Sequence, residues 1–109
     1  MRDALKRLIE ATESGTWDKS WRWLLDNVGI IDPQRFSDAY LGSLDAAKAI
    51  HDGLLPGCRI ELFGPTAQGL YGMSLPTLGQ DMVFGPDPAR AWLLAILRAK
   101  LAQTDHDPL

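Results

Sequence analysis

The sequence holds one cysteine, two histidines and no run of like charge. Each scarcity removes a class of function. Cys58 alone closes no intrachain disulfide, which suits a reducing, cytoplasmic setting, and its thiol is expected as a small buried apolar group. Cys58, His51 and His106 do not fall at metal-ligand spacing, so no metal is expected, nor any other cofactor. The 11 Lys and Arg are scattered between Arg2 and Lys100, against 14 Asp and Glu, for a net charge of -3. A nucleic-acid surface gathers its cations on one face, so nucleic acid is not an expected partner. Long hydrophobic runs are missing too. Ala91 to Leu97 is too short to span a bilayer, and the mixed charges of Arg2, Asp3, Lys6 and Arg7 do not suit a signal peptide, so neither membrane nor export is expected.

Catalytic patterns are equally sparse. Gly64, Gly69 and Gly72 are followed by no Lys-Ser or Lys-Thr and open no helix, so they suit a hairpin and not a phosphate loop. Ser37, Ser43 and Ser74 lack a nucleophile-elbow setting. His51-Asp52 resembles a metal phosphohydrolase dipeptide without the further histidines, and His51 is better read as a surface or helix-end residue. Glu61, Asp81 and Asp87 are carboxylates whose pairing spacing alone does not fix. An enzyme is not expected.

What is present is the composition of a globular domain: 109 residues, 46% hydrophobic and 23% charged. One domain is expected over 1–103, with a polar tail over 104–109. Leu5, Leu8, Ile9 and Thr12 recur at helical spacing behind Asp3, a candidate N-cap, and predict a helix over 4–13 that ends at Gly15. Trp17, Trp21, Leu24 and Val28 form the stripe of a second helix, over 19–28, capped by Asp18 and stopped by Gly29. Trp23 falls off that stripe and is expected to be less buried. Ile30 to Gly42, interrupted by Pro33, reads as irregular chain or a short strand. Ser43 caps a third helix over 44–52, ended by Gly53.

Period-two alternation then predicts strands over 58–63, 69–75 and 80–84, joined as an antiparallel meander with apolar side chains on both faces. Asp87-Pro88 opens the best-marked helix, over 88–103, with Ala89, Trp92, Leu93, Ile96 and Leu97 inward and Arg90 and Arg98 outward. The fold class is therefore α+β, a small three-stranded antiparallel sheet between helical layers.

Ser43-Leu44-Asp45-Ala46-Ala47, Pro56-Gly57-Cys58-Arg59-Ile60, and Asp87-Pro88-Ala89-Arg90-Ala91 with Leu94-Ala95-Ile96-Leu97-Arg98-Ala99 together resemble the phage ABA-sandwich domain family over 43–102. The resemblance implies a phage or prophage setting, hence a host cytoplasm, and a sheet between two helical layers, without a defined biochemical role. The chain departs from the family pattern in carrying Cys58 in place of an aromatic residue, Arg90 within an alanine and leucine run, and Asp87-Pro88 in place of Thr-Pro. Arg90 at a helix start gains nothing from the dipole, so it faces solvent or meets a partner, solvent being the simpler reading.

Two functions of different class fit. One is a non-catalytic, homo-oligomeric binding protein that sequesters a small anionic or nucleotide-like molecule, such as a host defence signal. Arg59 and Arg90 would meet its charge, and Tyr71 and Trp23 its rings. The plainer readings of those residues are an ion pair of Arg59 with Glu61, a solvated Arg90, a sheet-packing Tyr71 and an exposed Trp23. The other function is an interaction module that docks on a larger phage or host protein through Trp23.

Overall fold

The computed structural model describes residues 2–16, 19, 21–30, 32–74, 83–85 and 87–105. Five helices and three strands are found among them: α1 (Arg2–Ser14), α2 (Trp21–Val28), α3 (Pro33–Tyr40), α4 (Leu44–Leu54), β1 (Glu61–Phe63), β2 (Tyr71–Ser74), β3 (Val83–Gly85) and α5 (Pro88–Asp105). The α+β class and the antiparallel order β1-β2-β3 agree with the sequence reading. Trp17, Asp18, residues 80–82 and the tail beyond 105 lie outside the described residues.

α5 is the centre of the molecule. Every side chain from Ala91 to Leu97 is buried, a wider burial than the one-faced stripe read from periodicity. A helix apolar all round needs cover all round. α1, α3, α4, β2 and β3 all pack against it and supply that cover. The alanines at 89, 91, 95 and 99 let these neighbours approach closely, and β3 uses that space. A Cβ on Gly85 would stand 3.4 Å from the Cβ of Ala91. α1 docks through Ala4, Leu5, Leu8 and Thr12, and the buried Thr12 hydroxyl donates to the Leu8 carbonyl at 2.7 Å.

Several sequence boundaries are corrected: α2 starts at Trp21 and not at 19, β2 starts at Tyr71 and not at 69, and α5 runs to Asp105, into the expected tail. Residues 33–40 are helical, because Pro33 occupies the first helical turn, where its missing N–H is no loss, while Asp32 Oδ1 accepts from the N–H groups of Gln34 and Arg35. Phe36 and Ala39 are the buried face of this short helix. Gly53 does not end α4, which continues to Leu54 and is closed by the Leu55 N–H donating to the His51 carbonyl. Asp3 lies inside the first turn of α1 and does not precede it.

Cross-strand partners share a face, so Leu62, Met73 and Val83 form one row toward α5, and Phe63, Gly72 and Phe84 form another on the outer face. Met73 is fully buried, whereas Phe63 and Phe84 are 46% and 51% exposed. Of the expected sandwich, the described residues supply the helical side on α5, and the outer sheet face presents its two phenylalanines half open. β1 is shorter than its sequence pattern. The Cys58 N–H donates to the Leu55 carbonyl and its own carbonyl accepts from His51, which ties 58 to the end of α4.

Candidate functional site

The start of α5 is fixed by its own cap. Asp87 Oδ1 accepts from the N–H groups of Ala89 at 2.8 Å and Arg90 at 3.1 Å. Its other carboxylate oxygen faces Gly42, where a Cβ would stand 3.1 Å away on a backbone of φ 116°. Glycine at 42 therefore lets the α3–α4 junction sit against the cap of α5.

That junction brings Tyr40, the last residue of α3, beneath Arg90. The guanidinium donates from Nε at 3.3 Å and from Nη2 at 3.2 Å to the Tyr40 carbonyl, and its carbon lies 4.1 Å from the centre of the Tyr40 ring. Arg90 thus satisfies a carbonyl left over at the end of α3, where the helix dipole favours a cation, and stacks on the ring of the same residue. The solvated Arg90 of the sequence reading is corrected: it is half-buried and partnered from 50 positions away.

On its other side Arg90 lines a cavity of about 400 Å³ together with Thr12 and Glu13 of α1, Val83, Phe84 and Gly85 of β3, and Leu94 and Arg98 of α5. Arg90, Leu94 and Arg98 are successive positions on one helix face, which sets the two arginines about 12 Å apart along the axis. Arg98 pairs with Glu13, tying α5 to α1 at the rim. Two guanidinium groups and one carboxylate leave the wall net positive, and Val83 and Leu94 give it an apolar side.

The four residues singled out in the sequence are not gathered there. Only Arg90 lines the cavity. Arg59 is exposed before β1 and pairs with Glu61 at 3.3 Å, the plainer of its two readings. Tyr71 is half-buried in β2 opposite Gly85. Trp23 is 59% exposed on α2. Sequence reasoning missed Arg98 as a companion of Arg90, although their eight-residue spacing on one helix carries that signal.

Cys58 is half-buried and packed on the core, not fully buried as expected. His51 does stand in the last turn of α4, one of its two readings, but its placement at the surface is corrected. It is 4% exposed, its Nε2 lies 2.7 Å from the Cys58 carbonyl, and its Nδ1 lies 3.2 Å from Trp92 Nε1. An indole nitrogen only donates, so Nδ1 accepts and Nε2–H is the donor to the carbonyl. Both ring nitrogens are committed to tying α4, residue 58 and α5 together, with the Trp92 ring edge-on at 5.7 Å. Among the described residues no group of three or more His, Cys, Asp or Glu is placed to hold a metal ion, and no helix is long and apolar enough to cross a membrane.

Compared with known proteins, the chain matches no family model, no curated protein and no solved structure.

Proposed function

We propose that the protein is a non-catalytic binder, of the phage-associated kind its sequence resembles, that sequesters a small anionic, nucleotide-like molecule in the cavity between α1, β3 and α5. The observation that carries this reading is Arg90 itself, oriented on Tyr40 and lining the same cavity as Arg98 and Phe84. A guanidinium already held in place loses little freedom when an anion arrives, and the apolar side formed by Val83 and Leu94 suits a ring or chain attached to that anion. Native mass spectrometry of the gently isolated protein tests it. A reproducible small added mass, lost on denaturation and absent from Arg90→Ala, supports the reading, while a bare chain in both contradicts it.

One observation favours docking onto a larger protein instead: the 59% exposure of Trp23. A partner recovered with the natural chain and lost with Trp23→Ala is the result that reading requires.

A further inference from the structure

The alternation Cys58-Arg59-Ile60-Glu61-Leu62-Phe63 is six residues of strand pattern, yet only Glu61–Phe63 is paired in the sheet. The order β1-β2-β3 leaves β1 and β3 at the edges. α1 flanks β3 across the cavity, through Thr12 and Glu13. No described strand pairs with the second edge of β1. Leu62, in the row that buries Met73 and Val83, is left 47% exposed beside that edge. An open edge whose pattern outruns its pairing is a template for another strand.

We infer that the open edge of β1 pairs antiparallel with β1 of a second copy, about a two-fold axis at Ile60. The charges select both occupant and register. For side chains of both copies to keep their faces, the axis must pass through a residue. At Glu61 it sets two carboxylates opposite each other, and at Leu62 it sets Glu61 against Phe63. At Ile60 alone, Arg59 of each copy faces Glu61 of the other, so the Arg59–Glu61 pair within one chain, at 3.3 Å, is joined by two between chains. The same register sets Leu62 against Cys58 of the second copy and Ile60 against its counterpart, covering the exposed leucine. Cys58 keeps its bonds to Leu55 and His51, so new ladder bonds begin at Arg59. The inference is independent of the anion site, which lies beyond β3.

Leu62→Cys in the full chain tests it. Within one extended chain Cys58 and position 62 stand about 13 Å apart and cannot bridge. Between copies in this register they are neighbours. Mild oxidation is expected to give a covalent dimer whose bridge maps to Cys58 of one copy and the introduced thiol at position 62 of the other, and sedimentation of the unmutated chain is expected to show a dimer. A monomer with no bridge overturns the inference, and a bridge joining the position-62 thiols of both copies overturns the register. Glu61→Arg is expected to weaken dimerisation about tenfold or more, and Arg59→Glu with Glu61→Arg to restore it, with far-UV circular dichroism confirming the fold of each variant. An unchanged dimer in Glu61→Arg overturns the charge argument, and Arg90→Ala leaves the dimer intact.

Discussion

Arg90 and Tyr40 are joined twice, through a forked hydrogen bond from the guanidinium to the Tyr40 carbonyl and through its stacking 4.1 Å from the ring centre. One side chain at the start of α5 thereby closes the end of α3 and presents a cation to the cavity. Arg90→Ala is expected to lower stability by about 1–3 kcal/mol, from lost charge-assisted bonds and stacking. Arg90→Lys, which keeps the charge without the fork, is expected to recover less than half. Denaturant unfolding measures both, and a lysine variant as stable as the natural chain would show that the fork contributes nothing.

Trp92, His51 and the Cys58 carbonyl form a buried chain in which each donor has one acceptor. His51→Leu strands an indole N–H and a carbonyl at once, and a loss of about 2–5 kcal/mol is expected. Trp92→Phe removes only the donor to Nδ1, together with some packing, so a smaller loss is expected. Equal stability of natural and His51→Leu chains in guanidinium unfolding is the contrary result.

At position 42 the left-handed backbone and the nearby Asp87 carboxylate both oppose a side chain. Gly42→Ala is expected to destabilise by about 1–3 kcal/mol, visible as a lower unfolding midpoint. An unchanged midpoint would mean that the α3–α4 junction yields without consequence for α5.

On the surface of α4 the hydrogen bond from Lys48, at 2.8 Å, holds the Asp52 carboxyl below the usual carboxylate range, and the Lys48 ammonium is correspondingly raised. The signs follow from which form the partner favours. Asp52 contributes stability above its unfolded value that is lost as pH falls through its folded value, and Lys48 contributes below its unfolded value and loses it as pH rises through the folded one. Both are exposed, so the effect on unfolding is small and the titration itself is the readout. In an NMR titration Lys48→Ala is expected to move the Asp52 midpoint upward, and an unmoved midpoint contradicts the pairing.

Much of this architecture is legible in local pattern. Asp87-Pro88 and the apolar run behind it mark α5, and period-two alternation marks the strands and their faces, because helix starts and strand faces are set by neighbours in sequence. α3 is hidden because the same Pro33 that interrupts a pattern also starts a helix when Asp32 stands before it. His51 reads as surface because its partners, Trp92 and the Cys58 carbonyl, are supplied by tertiary packing. The site is legible only in part for the same reason. Arg90 stands out as an unusual charge at a helix start, whereas Arg98, eight residues on, is not singled out, and Tyr40 and the β3 wall are brought there by the fold.

The most direct test of the anion site is a titration of the isotope-labelled protein with adenosine 5′-monophosphate, read at the arginine side-chain N–H signals. Saturable shifts at Arg90 and Arg98, with companion shifts at Thr12 and Gly85 and none in Arg90→Ala, are the expected result. Signals that stay unmoved to millimolar nucleotide, or that move only around Arg59 and Trp23, would contradict a binding site between α1, β3 and α5.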